Sequence, residues 1–582
     1  MPQRVNLSLL AAALILSACA PLTKRVPISA PEKAEPKVEA PLSGPTRIAS
    51  PRAYAHYLRA NAYRFEGQLD LAMTEMEKAV AADPGSALLL SHAASLYLQN
   101  GRLAEAAQAS EMALATKPED TGLLMQTAGI YSSVNRQDDA IRLYEKVLTL
   151  DHRQREAHIF LGTLYLQQAK AEQAIDVFNR LAEIDTNKGV AYYYLGRIYA
   201  NQFDTDKKES DRRTAQRYFT KSIGENREFM PAHLSLGVLY ELENKSDRAI
   251  KVYQEALKIN PHYTRIQERL GLLFVQGDQL DKALVQLEQI KELEPNNADA
   301  HFKVGLLYLQ QEDLTRAVEE FRISLALQPN NSKAHFYLAV AYESLEKYNL
   351  AEQEYRAVLQ TDPDDLKTIF RLTQIYQEME KPEKAITLLK DASERVVDNA
   401  DVFLYLGLVY SSMEDDGNAI EAFHRAIAIN PEDDNLYFQL GVIYERQKNF
   451  DEAVAAFRKT IEINPVHSNA LNYMGYMFAE AGVNLEEAEE LIKRALEIRP
   501  EDGYYQDSLG WVYYKMGRYN DAVRYLEKAN RNLPGDAAIT EHLGDAYLAL
   551  GMTQKAREFW KKALEAEPDN EKIKEKLRQL MP

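Results

Sequence analysis

Beyond Cys19 the chain of 582 residues contains no cysteine, which excludes internal disulfides and any cysteine-rich zinc site. Basic residues are also in deficit. Lys and Arg number 69 against 87 Asp and Glu, a net charge of -18, and that balance makes nucleic acid and anionic lipid head groups poor partners for the chain as a whole. The apolar run at the start of the chain, Leu7 to Leu16, has ten residues, about half of what a membrane-spanning helix needs. Catalytic signatures are missing too: there is no HExxH, no GxxxxGK[ST] and no GxSxG. The chain is expected to be no enzyme and to use no cofactor or metal.

What the chain does have is one stretch repeated fifteen times. The clearest copy is DNLYFQLGVIYERQKNFDEAVAAFRKTIEINPVH, residues 434–467. Apolar and small residues recur there at three- and four-residue intervals along two arms, Tyr437 to Gln447 and Asp451 to Glu462, separated by the polar pair Lys448-Asn449. This spacing predicts two amphipathic helices, A and B, in a hairpin. Gly441 and Ala453 are expected where helices of neighbouring hairpins approach closely, with Tyr444 and Phe457 filling the space between and Pro465 ending helix B. So short a hairpin cannot bury both of its faces alone and must stack on copies of itself.

At a period of 34 the copies begin at Ala53, Ala87, Thr121, Arg155, Gly189, Met230, Thr264, Ala298, Ser332, Leu366, Ala400, Asp434, Ser468, Gly503 and Ala537. Position 8 is Gly in ten copies, Ala in four and Thr in one; position 20 is Ala in all; position 11 is Tyr or Phe in all; position 32 is Pro in eleven. The pattern resembles the tetratricopeptide repeat, best in DSLGWVYYKMGRYNDAVRYLEKA, Asp507 to Ala529. The resemblance covers 53–568 and implies an all-α, right-handed superhelical solenoid in which helix A lines an inner groove. Residues 569–582 are expected to close the array, with Ile573, Leu577 and Leu580 on one stripe of a capping helix.

Residues 1–18 read as an export signal: Arg4 precedes the apolar run, and small residues follow it. Leu16-Ser17-Ala18-Cys19 resembles a bacterial lipobox, which implies acylation of Cys19, the chain's one thiol. Two or three acyl chains hold a protein at a membrane where one does not. Ala20 after the cysteine, where an Asp would retain such a protein at the inner membrane, implies the outer membrane. Residues 19–52 carry seven prolines and Lys/Glu alternation, so they read as a tether, extended by up to about 3.1 Å per residue.

Two irregularities break the period. Repeat 5 carries seven extra residues near 201–214, NQFDTDKKESDRRT, read as a solvated loop, and repeat 13 has one extra residue between Ala481 and Ala488. His56, His158, His233, His301 and His335 all occupy position 4 and read as packing residues rather than metal ligands. The acidic pairs Asp433-Asp434 and Glu486-Glu487 read as helix caps.

By resemblance the groove is lined by positions 2, 5, 9 and 12 of helix A, which share one face. The candidate protein-binding residues are Phe302, Leu306, Phe336, Val340, Leu404, Leu408, Phe438, Val442, Tyr476, Tyr504, Trp511 and Tyr514. Their polar border includes Asp299, Lys333, Glu343, Asp401, Asn435, Glu445, Asn472 and Asp507. An apolar floor with a charged rim suits a protein or peptide, and Trp511 and Tyr514 are expected to be exposed on it. No repeat combines Lys at position 5 with Asn at position 9, the clamp that holds acidic carboxyl-terminal peptides. The run Ala470 to Ala529, with the lipobox and tether, is similar to the large tetratricopeptide lipoproteins of Gram-negative outer membranes. One branch of these acts as an adaptor, presenting cell-wall hydrolases to a periplasmic carboxyl-terminal processing protease. Others serve exopolysaccharide export or pilus assembly, which stands as the alternative.

Overall fold

The computed structural model of the protein describes residues 50–579, so Cys19, most of the tether and Leu580 lie outside the described residues. Among the described residues there are 31 α-helices and no strand. The chain divides into two units, 1–327 and 328–582. The first contains eight hairpins from helix Pro51–Phe65 to helix Leu314–Leu327. The second contains seven hairpins from helix Ser332–Ser344 to helix Thr553–Ala566, and then the closing helix Glu571–Gln579.

The copy at 434–467 shows why the sequence folds this way. Helix A spans Asp434–Arg446 and helix B spans Phe450–Ile463. Asp433 caps helix A, its carboxylate accepting the Asn435 N–H at 3.0 Å. The turn between the helices is made by Lys448 in the left-handed region, φ 62°. The same position of the unit is left-handed in Asn135, Glu312, Glu346, Glu380 and Glu414, and is glycine in Gly67, Gly101, Gly482, Gly517 and Gly551.

Within each hairpin, position 8 of helix A receives the side chain at position 24 of helix B. A Cβ on Gly441 would lie 2.5 Å from the ring of Phe457. Gly162 meets Phe178 in this way, Gly407 meets Phe423, and Gly544 meets Trp560 at 2.4 Å. The close approach at Gly441 is therefore inside its own hairpin, and the expectation of a contact between neighbouring hairpins is corrected. The ring needs the space a side chain would occupy, and Phe457 is fully buried there.

Between hairpins, position 11 explains the tyrosines. Tyr131 donates to Glu111 of the preceding helix B at 2.8 Å, Arg136 reaches the same carboxylate at 2.6 Å, and the guanidinium lies 3.9 Å from the Tyr131 ring centre. The second unit repeats this with Tyr513, Glu489 and Arg518 at 3.0 and 3.2 Å, the cation 4.3 Å from the ring. Each latch ties one repeat to the one before it, so stability is assembled from nearest-neighbour terms.

The insertion in repeat 5 is not a loop. Helix A runs on to Asp206 (Gly189–Asp206), Lys207 turns at φ 54°, and helix B starts at Glu209 (Glu209–Glu225). The charge density that suggested a loop is that of a solvated helical face: Glu209 pairs with Arg212 and Arg213, four residues or fewer away, and Glu209 and Asp211 sit in the first turn where the helix dipole favours them. In repeat 13 the extra residue lies in the turn: Gly482 keeps the usual left-handed position at φ 68°, and Asn484 adds a second at φ 48° before helix B begins at Leu485.

The closing helix begins one period after Ala537, in phase as the helix A of a further unit. It buries Ile573 with Trp560 and Ala563, with Leu577 packed alongside.

Candidate functional site

Successive helices A lie side by side, and the contact that joins them has a fixed register: position 6 reaches back to position 5 of the preceding repeat. In the first unit Gln126 accepts from the Ser91 hydroxyl at 2.6 Å, and Lys303 donates to Glu268 at 3.3 Å. In the second unit Tyr405 stacks on Phe370 at 4.2 Å and Tyr473 stands edge-on to Phe438 at 5.6 Å. There too His542 pairs with Asp507 at 3.0 Å and Lys576 of the closing helix with Glu541 at 2.6 Å. The backbone relation is constant while the chemistry passes through polar, ionic and aromatic segments.

The predicted groove residues differ in exposure along this row of helices. Phe302, Leu306, Phe336 and Val340 are buried. Phe302 packs on Phe321 of its own helix B, and Phe336 on Tyr337 and Tyr355 with the Lys367 ammonium 4.1 Å above its ring. These four serve packing in the free chain. Leu404, Leu408, Phe438, Val442, Tyr476 and Tyr514 are half-buried, and Tyr504 is 58% exposed. The accessible floor therefore runs through repeats 11 to 14. Sequence reasoning missed Phe370, Tyr405 and Tyr473, which extend it; the signal was an aromatic residue at position 6 facing one at position 5 of the preceding repeat.

Trp511 corrects an expectation. Only 8% of it is exposed. Its indole N–H donates to Glu480, Tyr514 stacks on it at 4.7 Å, and the His542 ring lies 4.0 Å away. A large ring is tolerated in this seam because flat neighbours stack on it rather than interdigitate. Asp507, expected on the rim, is buried as the partner of His542. Burial opposes charge on His542, but Asp507, Asp545 and Glu541 together carry its pKa above the usual histidine value. Burial first, and then Glu480, Asp507, Glu445 and Glu541 from four successive repeats, push the Tyr476 hydroxyl up. This end of the floor is aromatic and electronegative.

Four of the five position-4 histidines hold inter-repeat turns. His301 contacts Glu320 at 2.7 Å and the Pro295 carbonyl at 3.2 Å; His335 contacts Glu354 at 2.6 Å and the Pro329 carbonyl at 2.9 Å. His56 contacts Glu75 at 2.7 Å, while His158 and His233 reach the carbonyls of His152 and Arg227. Gln267 and Gln506 use the same carbonyl six residues back. Among the described residues no group of three or more His, Cys, Asp or Glu side chains converges as a metal site would.

Tetratricopeptide-repeat models match residues 57–121, 135–197, 200–264, 242–303, 305–365, 344–404, 400–433, 435–467 and 513–580. The chain belongs to the tetratricopeptide repeat family, whose members are generally non-enzymatic scaffolds that bind other proteins. Among individual proteins, a TPR repeat-containing protein of Pseudomonas aeruginosa is 41% identical over 76 residues, a match spanning 13% of this chain and 13% of that protein. The crystal structure of MamA protein is 27% identical, covering 29% of this chain and 92% of that one, with a TM-score of 0.26. A tetratricopeptide repeat protein from Parabacteroides merdae is 20% identical, covering 42% and 97%, with a TM-score of 0.35.

Proposed function

We propose that this protein is a lipid-anchored scaffold of the bacterial outer membrane, facing the periplasm, that holds other proteins on the helix A face of repeats 11 to 14. Acyl chains on Cys19 anchor it and residues 19–52 give it reach. Its partners in this reading are a carboxyl-terminal processing protease and the cell-wall hydrolases delivered to it. The observation that carries the binding role is the continuous floor of half-buried Leu404, Leu408, Phe438, Val442, Tyr476 and Tyr514 with exposed Tyr504 at its end, bordered by the exposed carboxylates of Asp401, Glu445 and Glu480. Apolar side chains of this kind, accessible yet held in place, act as anchors worth about 2 kcal/mol or more each when a partner covers them.

The test is capture from envelope extract on the immobilised protein, in parallel with Leu408→Asp/Val442→Asp. A protease captured with its hydrolase substrates, and lost with the variant, supports the reading. Capture of a secretin or glycan synthase instead would move the protein to an export or pilus machine. Capture indifferent to the substitutions would remove this face as the binding site.

A further inference from the structure

We propose that the outward face of helix A in repeat 1, Pro51–Phe65, docks onto an anionic phospholipid bilayer, so that the first hairpin lies against the membrane while later repeats bind protein. Position 6 is the side chain that reaches the preceding repeat, and repeat 1 has no earlier copy. Leu58 at that position is 50% exposed, Tyr54 51% and Phe65 86%, with Pro51 and Ala62 also exposed. Spacings of three, four and seven put all five on one stripe, and Leu71, 48% exposed, lies at the start of helix B (Leu69–Ala82). Repeat packing does not require Phe65: its position, the thirteenth, is polar in twelve of the other fourteen copies. The opposite end of the array is finished differently, with Glu571, Lys572, Glu575 and Arg578 exposed on the closing helix. Solubility alone calls for a polar face at both ends.

Charge selects the occupant. Between Pro51 and Phe65 there are three arginines, Arg52, Arg59 and Arg64, and no carboxylate, in a chain of net charge -18. Arg52 and Arg59 border one side of the stripe and Arg64 the other; Arg59 also lies 3.5 Å from Glu75, which His56 and Lys78 share. An aromatic and leucine stripe between arginines is the pattern of a helix lying in the interfacial zone of a bilayer. Screening over about 8–10 Å lets this local field act although the distant repeats are acidic. A two-fold contact with a second copy would instead set arginines against arginines. The proposal rests on the lipid-anchor reading for its geometry, since residues 19–52 would bring this helix, before any other, to the surface that Cys19 occupies.

The experiment uses the chain from residue 20 onward, which keeps every described helix and lacks Cys19, so its outcome is independent of acylation. Co-sedimentation is measured with vesicles of phosphatidylcholine plus phosphatidylglycerol, and with phosphatidylcholine alone. Binding to the anionic vesicles is expected, falling on the order of tenfold in Leu58→Ser/Phe65→Ser and several-fold in Arg52→Gln/Arg64→Gln, with helical content unchanged by circular dichroism. Val466→Ser, which removes an apolar side chain 67% exposed in the second unit, should bind as the parent does. Absence of vesicle binding, or binding unaffected by Leu58→Ser/Phe65→Ser, overturns the proposal. So does a dimer in solution that the same substitutions dissociate. The anchor reading fails separately, by retention of the full-length Cys19→Ser protein in salt-washed membranes.

Discussion

Position 8 offers a test in which one substitution takes opposite signs at two equivalent sites. In Gly441→Ala the new methyl would sit 2.5, 2.7 and 2.8 Å from three ring atoms of Phe457, against an optimum near 3.5–4.0 Å between carbons. The ring has no open side to move to: Phe457 is fully buried, with Phe438 and Tyr473 each 5.8 Å from it. Overpacking of this kind costs about 1–3 kcal/mol, offset by about 1 kcal/mol because Ala is the better helix former. Gly271→Ala meets nothing nearer than 3.7 Å, where Gln286 and Leu287 of helix B leave room. It should gain the propensity term alone, about 1 kcal/mol of stabilisation. The propensity terms cancel in the difference between the two variants, which should be about 1–3 kcal/mol and isolates the overpacking. A repeat array does not unfold in two states, so the measurement is native-state hydrogen exchange read hairpin by hairpin. Exchange should quicken around repeats 11 to 13 in Gly441→Ala and slow around repeat 7 in Gly271→Ala. Gly441→Ala/Phe457→Leu should recover part of the loss, since repeat 10 already pairs Thr373 with Leu389 at these positions. Effects of the same sign at both glycines, or loss of protection along the entire chain, would refute the reasoning.

Three further outcomes are expected. Tyr504→Ala should leave melting within about 0.5 kcal/mol of the parent while weakening partner binding by about 2 kcal/mol, whereas Trp511→Ala should cost about 3–5 kcal/mol of local stability because its stacked ring is buried; comparable melting of the two would show that the seam does not depend on the indole. Burial, and then hydrogen bonds to Glu111 and Glu145, push Tyr131 and Tyr165 up to about 12, above the unfolded value near 10, so their contribution is complete below about pH 10 and is lost as pH rises toward 12; alkaline melting curves should fall less steeply in Tyr131→Phe/Tyr165→Phe, and an unchanged slope would remove these hydroxyls from the account. Cys19→Ser should leave the salt-washed membrane fraction with its helical content intact, and retention there would end the lipoprotein reading.

Much of the fold was legible because the repeat over-determines it. Gly at position 8, Ala at position 20 and Tyr at position 11 recur for reasons of space and bonding that each hairpin must satisfy anew, so their spacing carries the helix pair without any long-range knowledge. The insertion in repeat 5 was misread because charge density alone does not separate a loop from the solvated face of a helix; the charges pair at helical spacing within 209–213. Gly441 was placed in the right kind of contact but against the wrong neighbour, since helix A meets both its own helix B and the next repeat. The site was legible only as a stripe. Phe336 is buried by Tyr337, Tyr355 and Lys367 while Leu404 at the same position stays half-buried, and those neighbours vary along the chain.

That variation gives a physical account of how one repeat supports different surfaces. The residues that set the hairpin, positions 8 and 24, meet between the helices of one unit, while positions 5 and 6 join neighbouring helices A. A pair of positions 5 and 6 can therefore be Asp507 with His542 or Phe370 with Tyr405 at the same backbone spacing, above position 8 and 24 pairs that differ as well, Gly510 with Leu526 and Thr373 with Leu389. Where the pair is ionic, as at Glu268 with Lys303, which Asp299 also holds at 2.6 Å, the position carries charge rather than apolar area. Where it is aromatic or aliphatic, the flat faces left half-buried keep apolar area that a partner can still cover. Phe370 with Tyr405 and Phe438 with Tyr473 are of the second kind, and the half-buried floor lies around them, while the ladder is ionic again at Asp507 with His542.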